Sequence, residues 1–461
     1  MKKISILLFA SILLFACKPN NTAEPAKMAD GEHASWVYDA TIYEVNVRQF
    51  TPEGTFSAFE AHIPRLKELG VDILWFMPIQ TIGEVERKGS LGSYYSIKDY
   101  TEVNHEFGTI EDFKSVVNKA HASGLKVILD WVGNHTSRDA GWLEIKDWYE
   151  MDSLGNVIAP YDWSDVAKLN YENEAMRDAM IQDMLYWVRE ADIDGFRCDV
   201  AGEVPTDFWE RVTDSIKTIK SDIFMLAEAE KPDLNDKAFD AFYAWDFHHK
   251  MNMVAQGKEN VDSLRLSLNR LNERFNKRAI PMYFTSNHDE NSWNGTEQER
   301  MGDARFAFAT LSYMLPGMPL IYNGQEVGFN RRLAFFEKDS IDWAPPYDGV
   351  VDDKHVLSHF YEKLNAFKKS NPALFTQEKG GEMVEIVNDH PDKVWSFKRV
   401  KGKNEVQCLF NFSGEEVVVN FEEEISGADF TNYIDDSPGY GMKSITLQPW
   451  GYLVFSKGGN K

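Results

Sequence analysis

The chain has 461 residues, enough for roughly three domain-sized units, and 43% of them are hydrophobic, so a large core can form. A formal net charge of −24 repels phosphate backbones and anionic headgroups, which argues against nucleic acid as a partner. Aromatic residues make up 13%, with 13 Trp; most are core material, and some can stack on flat apolar faces such as sugar rings.

At the N-terminus Lys2 and Lys3 precede ISILLFASILLFA, too short to span a bilayer as a mature helix. Residues 1–16 read as a secretory signal peptide. LLFAC, ending at Cys17, resembles a bacterial lipobox. That resemblance implies cleavage before Cys17 and lipid on its thiol and new amino group, a membrane anchor with no other membrane contact. KPNN follows without an acidic residue, which leans towards the outer membrane. Residues 17–36 are polar and small and read as a tether. Cys198 and Cys408 sit in apolar segments as buried free thiols, and no CxxC spacing suggests a metal site.

From Trp36 the chain alternates. TIYEVNVRQF (41–50) reads as a strand, FSAFEAHIPRLKELG (56–70) as a helix stopped by Gly70, and VDILWFMPI (71–79) as a buried strand. IEDFKSVVNKAHASG (110–124) is another helix and LKVILDW (125–131) another strand. IDGFRCDV (193–200), DIFMLAEAE (222–230), PMYFTSN (281–287) and PLIYNGQE (319–326) continue the pattern. Apolar runs separated by helices mean βα units around a parallel sheet. Seven or eight units over roughly 330 residues favour a (β/α)8 barrel, α/β in class, over 37–375. No GxGxxG follows the first strand, against a dinucleotide fold. Residues 134–170, rich in Trp, Tyr and Asp, interrupt the repeat as a small inserted subdomain after the third strand. Short alternating strands over 376–461 predict a C-terminal antiparallel β-sandwich.

In such a barrel chemistry gathers at the C-terminal ends of the strands. Asp130, Asn134 and His135 follow one apolar run, Arg197 and Asp199 interrupt a second, Glu228 ends a third, and His288 and Asp289 follow a fourth. A single acid at a strand end is usually a helix cap. Four strands presenting acids and histidines to one mouth are not explained by capping, nor is an Arg two residues before an Asp inside a strand.

DWVGNH (130–135), GFRCD (195–199), the Glu228 strand and NHD (287–289) resemble the four ordered motifs of the α-amylase family of glycoside hydrolases. GSYYSIKDYTEVNHEFGT (92–109), VAKLN (166–170) and PGMPLIYNGQE (316–326) are similar to further family segments, so the likeness runs over about 40–455. Position by position it implies Asp199 as nucleophile, Glu228 as general acid/base and Asp289 as transition-state stabiliser. It implies Arg197 as the cation that holds the nucleophile ionised, His135 and His288 as binders of sugar hydroxyls, Tyr95 as the stacking tyrosine and Asp130 as a structural acid. These roles suit retaining glycoside hydrolysis, which needs a carboxylate to attack and a carboxylic acid to donate a proton. Glu230 shares strand parity with Glu228 and is the rival acid.

Two positions depart from the pattern. Gly202-Glu203 stand where many starch-degrading members have Lys-His, which resembles the neopullulanase-like branch. Lys168 stands where calcium-binding members have an Asp beside the residue matching Asn134, so the family Ca²⁺ site is expected to be absent, with no cofactor required. DSLGN (152–156) is only faintly like an oxygen-ligand loop. The leading expectation is a retaining hydrolase of α-glucosidic bonds in maltooligosaccharides or starch-derived glucans. A transglycosylase using the same site and a glycan-binding lipoprotein on an inactive barrel are the alternatives. Nothing in the sequence sets an oligomeric state.

Overall fold

A computed structural model describes residues 32–343 and 354–459. The expected signal peptide, Cys17 and most of the tether lie outside the described residues. Eight parallel strands close into a barrel in sequential order: β1 (Ile42–Val45), β2 (Ile73–Phe76), β3 (Lys126–Val132), β4 (Gly195–Asp199), β5 (Phe224–Ala227), β6 (Ala241–Tyr243), β7 (Ile280–Tyr283) and β8 (Met318–Tyr322).

The period of two along each strand sorts the side chains into two layers. Ile42, Ile73, Trp75, Ile128, Phe224, Leu226, Tyr243, Met282 and Leu320 pack together as the barrel interior. Tyr43, Val45, Leu74, Phe76, Val127 and Leu129 belong to the larger core shared with the helices. Both faces are covered, which is why the strands are continuous apolar runs. Gly195 is fixed by this packing: a Cβ on it would lie 1.8 Å from the Phe224 carbonyl oxygen of β5.

Several boundaries differ from the sequence reading. The run 41–50 is a strand only to Val45; Val47–Phe50 turn into a short helix. The helix expected over 56–70 is two, Phe56–Glu60 and Ile63–Leu69, ended by Gly70 at φ 87°. The tether expected through 36 gives way to packed chain sooner. His33 is buried, with Nδ1 2.7 Å from Asp240 Oδ1 and Nε2 2.8 Å from the Arg278 carbonyl.

In the inserted subdomain His135–Ser137 pair antiparallel with Val166–Lys168. At the C-terminus, strands 382–385, 394–401, 404–411, 431–432 and 452–457 form one antiparallel sheet, and 417–425 pairs with 442–447 in a second. Val394, Leu409, Val419, Phe421, Ile425 and Phe455 form a core between them. Cys198 and Cys408 are buried and unbonded.

Candidate active site

On β1, β3, β4 and β5 the inward-facing column is apolar at its base and ionisable at its mouth. On β3 Asp130 follows Ile128, on β4 Arg197 and Asp199 follow Gly195, and Glu228 comes two residues after Leu226 of β5. Register puts Asp130 beside Arg197, and Arg197 beside Leu226. The alternation that looked anomalous in GFRCD is therefore the barrel's own period.

Arg197 is wholly buried and holds three carboxyls. Its Nη1 donates to Asp199 Oδ1 and to Asp130 Oδ1, both at 2.9 Å. Its Nη2 lies 3.0 Å from Glu228 Oε2, close but out of line for a hydrogen bond. Its Nε donates to Tyr243 Oη at 3.2 Å. Asp130 is fixed further by Trp75 Nε1 at 3.2 Å and Tyr95 Oη at 3.1 Å.

One cation cannot neutralise three acids in a dry site. Burial raises all three carboxyls against the pull of Arg197: Asp130 and Asp199 to about 6, Glu228 to about 8. Arg197 lowers Asp199 but does not bring it into the ordinary carboxylate range, because burial is the larger effect. What survives is an order. The three titrate as a set, and Glu228 keeps its proton longest.

The chain turns sharply after Asp199. Val200 has φ 44° and ψ 40°, a left-handed conformation that β-branched residues rarely adopt and that costs on the order of 1–3 kcal/mol. The turn aims the Val200 N–H at Glu228 Oε2, 2.8 Å away.

The two histidines differ. His288 Nδ1 lies 2.5 Å from Glu44 Oε1, while Nε2 lies 2.8 Å from Tyr95 Oη and 3.3 Å from Asp289 Oδ2. Burial opposes its charge, but Asp289 and Glu44 outweigh that and raise it to about 9, so at neutral pH it is an imidazolium. His135 has no such partners, and burial lowers it to about 4, so it stays neutral. The sequence treats the two alike.

Tyr95, His135, Asp199, Glu228, His288 and Asp289 all line one cleft of about 510 Å³, and Arg197 lies beneath its floor. Trp163, Trp293, Phe335 and Phe336 complete the walls. Phe335 stacks on Tyr95 at 6.2 Å and 16°, and Trp293 leans on both Phe335 and Phe336. Sequence reasoning missed these aromatic walls and Glu44. Trp163, Phe335 and Phe336 sit in irregular loops and Trp293 in a five-residue helical turn, with no periodicity to expose them. Glu44 did leave a signal, as an acid on the inward parity of an apolar strand. Glu230, the rival acid, faces away from the cleft: its carboxylate accepts from the Asp246 N–H at 2.9 Å and from Arg274 Nη1 at 3.1 Å.

Lys168 Nζ lies 3.1 Å from Glu150 Oε1, and the Leu169 N–H donates to the Asn134 carbonyl. An ammonium there does not fit a calcium ligand set. In DSLGN the Asp152 carboxylate accepts from the Leu154 and Asn156 N–H groups, a turn closed by its own backbone.

Comparison with known proteins agrees with this geometry. The α-amylase catalytic-domain family matches residues 24–153 and 147–343. Alpha-amylase MalA of Haloarcula japonica is 28% identical over 417 residues, 86% of this chain and 59% of the relative. The maltogenic alpha-amylase of Bacillus acidopullulyticus is 27% identical over 395 residues, 78% and 64% respectively. This chain therefore spans only about three fifths of those relatives' length. The crystal structure of an alpha-amylase from Lactobacillus plantarum superposes with a TM-score of 0.80 at 29% identity, covering 91% of this chain and 99% of that one. That of AmyB, a noncanonic maltogenic alpha-amylase of Thermotoga neapolitana, gives 0.81 at 28%, covering 91% and 98%.

Proposed function

The chain belongs to the α-amylase catalytic-domain family, and from that premise we propose that it is a retaining glycoside hydrolase of α-glucosidic bonds in maltooligosaccharides and related α-glucans. The observation that carries the reading is one buried guanidinium contacting both Asp199 and Glu228, with Glu228 the more strongly proton-holding of the two.

In the first step the Asp199 carboxylate attacks the anomeric carbon while Glu228 gives its proton to the glycosidic oxygen, so the leaving chain departs neutral and a glycosyl ester remains on Asp199. In the second, Glu228, now a carboxylate, takes a proton from water. The resulting hydroxyl attacks the same carbon and releases Asp199. Asp289 and its imidazolium partner His288 border the position where the ring becomes oxocarbenium-like; the carboxylate stabilises that charge, and His288, whose Nε2–H faces Tyr95 Oη, lies against the same sugar. Tyr95 supplies the ring face against the same sugar.

Relatives named maltogenic amylase and cyclomaltodextrinase support a small α-glucan as substrate. Lys168 in place of an acidic ligand supports function without calcium at that site. The Lys-rich, apolar leader and Cys17 support export and a lipid anchor, with the outer membrane favoured. Digestion of maltoheptaose with and without an excess of free glucose tests the reaction. Net hydrolysis to shorter sugars is expected in both; transfer products that incorporate the added glucose as the main species would make the protein a transglycosylase, and no turnover would refute the reading.

A further inference from the structure

In the sequential barrel β1 stands across from β5, and β2 and β8 flank β1. The segments that follow β2 and β8 therefore rise on the side of the mouth facing Glu228 from across it. They do not stand apart. The Leu91 N–H donates to the Phe336 carbonyl at 3.1 Å, the Ser90 N–H donates to Glu337 Oε1 at 2.9 Å, and Arg48 Nη1 donates to the Gly92 carbonyl at 3.0 Å. Gly89, at φ 63°, lies so close to Phe336 that a Cβ on it would sit 2.5 Å from the Phe336 Cβ.

The same loop also reaches the inserted subdomain. Lys88 Nζ lies 3.0 Å from Asp165 Oδ1, and the Asp165 carbonyl accepts from Ser96 Oγ at 3.0 Å. Asp165 is buried, so this is not a loose surface pair, and both Lys88 and Asp165 line the cleft. Two walls of the cleft therefore touch through this contact.

The direction of the substrate follows from the chemistry. The general acid protonates the leaving oxygen, so the departing chain runs over Glu228. The sugar attacked by Asp199, and whatever precedes it towards the non-reducing end, runs the other way, into the joined wall. We propose that the Lys88–Asp165 pair closes the non-reducing end of the cleft, so that the enzyme trims short units from free chain ends rather than cutting within chains. This rests on the hydrolase reading above. Lys88 and Asp165 then determine product length; neither touches the reacting atoms.

The test compares maltoheptaose with maltoheptaose whose non-reducing end carries a benzylidene block. Wild type should cleave the free substrate at least about tenfold faster than the blocked one and release short products first. In Lys88→Ala and Asp165→Asn the blocked substrate should gain on the free one, and longer initial products should appear. Equal wild-type rates on both substrates, within about twofold, would overturn the closed end. A ratio unchanged in both variants would overturn the assignment to this pair. Cleavage of neither substrate by wild type would instead refute the hydrolase reading, and the inference with it.

Discussion

Arg197 and Arg399 are both completely buried, and they are satisfied in opposite ways. At the barrel mouth Arg197 faces carboxylates: Asp130, Asp199 and Glu228. At the junction of the barrel with the C-terminal sheet, Arg399 donates only to backbone carbonyls, of Gly381, Met314 and Phe375. Its buried neighbour Lys368 does the same with Gly317 and Leu374. Carbonyls complete the hydrogen bonds without cancelling the charge. Burial therefore lowers Arg399 to about 10 and Lys368 to about 7. Around Arg197 burial also works against the charge, but Asp130 and Glu228 overcome it and raise the group. The carbonyl arrangement around Arg399 fixes two domains together; the carboxyl arrangement around Arg197 leaves acids whose protonation can be set and changed.

Arg197→Met breaks the comparison most severely. Three buried carboxyls lose their counter-ion, and unfolding free energy at neutral pH should fall by about 3–5 kcal/mol, with activity lost as well. The stability loss should shrink in acid, as the carboxyls protonate; a loss independent of pH in urea titrations would mean that Arg197 is not their counter-ion.

Glu44→Gln is milder. With Glu44 neutral, His288 should titrate well below its present value of about 9. KM should then rise as pH increases towards about 8, because His288 loses its charge before Glu228 gives up its proton, while the acid limb, set by Asp130 and Asp199 together near 6, stays in place. A KM independent of pH between about 6 and 8 in this variant would show that His288 charge does not matter to substrate binding.

Lys368→Met should leave activity intact, lower stability at every pH by leaving the Gly317 and Leu374 carbonyls without a donor, and change the pH dependence of stability. The folded lysine releases its proton near 7, the unfolded one near 10.4, so between those values the unfolded state binds more protons. Wild-type stability gains from this group as pH rises through that window, by up to about 1.4 kcal/mol per pH unit. The variant should lose that gain, seen as a flatter series of urea midpoints from pH 7 to 9.

The comparison also marks what a sequence can disclose. Strands such as LKVIL and FMLA were legible because both faces of a parallel barrel are buried. β6, only Ala241–Tyr243, was not, since three residues carry no periodicity. Asp199, Glu228 and Asp289 were legible because acids at the ends of apolar runs are costly and need a reason. The junction around Lys368 and Arg399 was not, because its partners are backbone atoms that any residue supplies. The joined wall at Lys88 and Asp165 depends on loop conformation, which spacing along the chain does not encode. The raised value of Asp199 was hidden for a related reason: spacing shows Arg197 as its partner but not that Asp130 and Glu228 share it.

The central claim is that Asp199 carries the glycosyl group. Incubation with 5-fluoro-α-glucosyl fluoride, followed by proteolysis and mass spectrometry, tests it most directly. The account predicts a single glycosyl adduct on the peptide containing Asp199. An adduct on Glu228, Asp289 or any other carboxylate would contradict it.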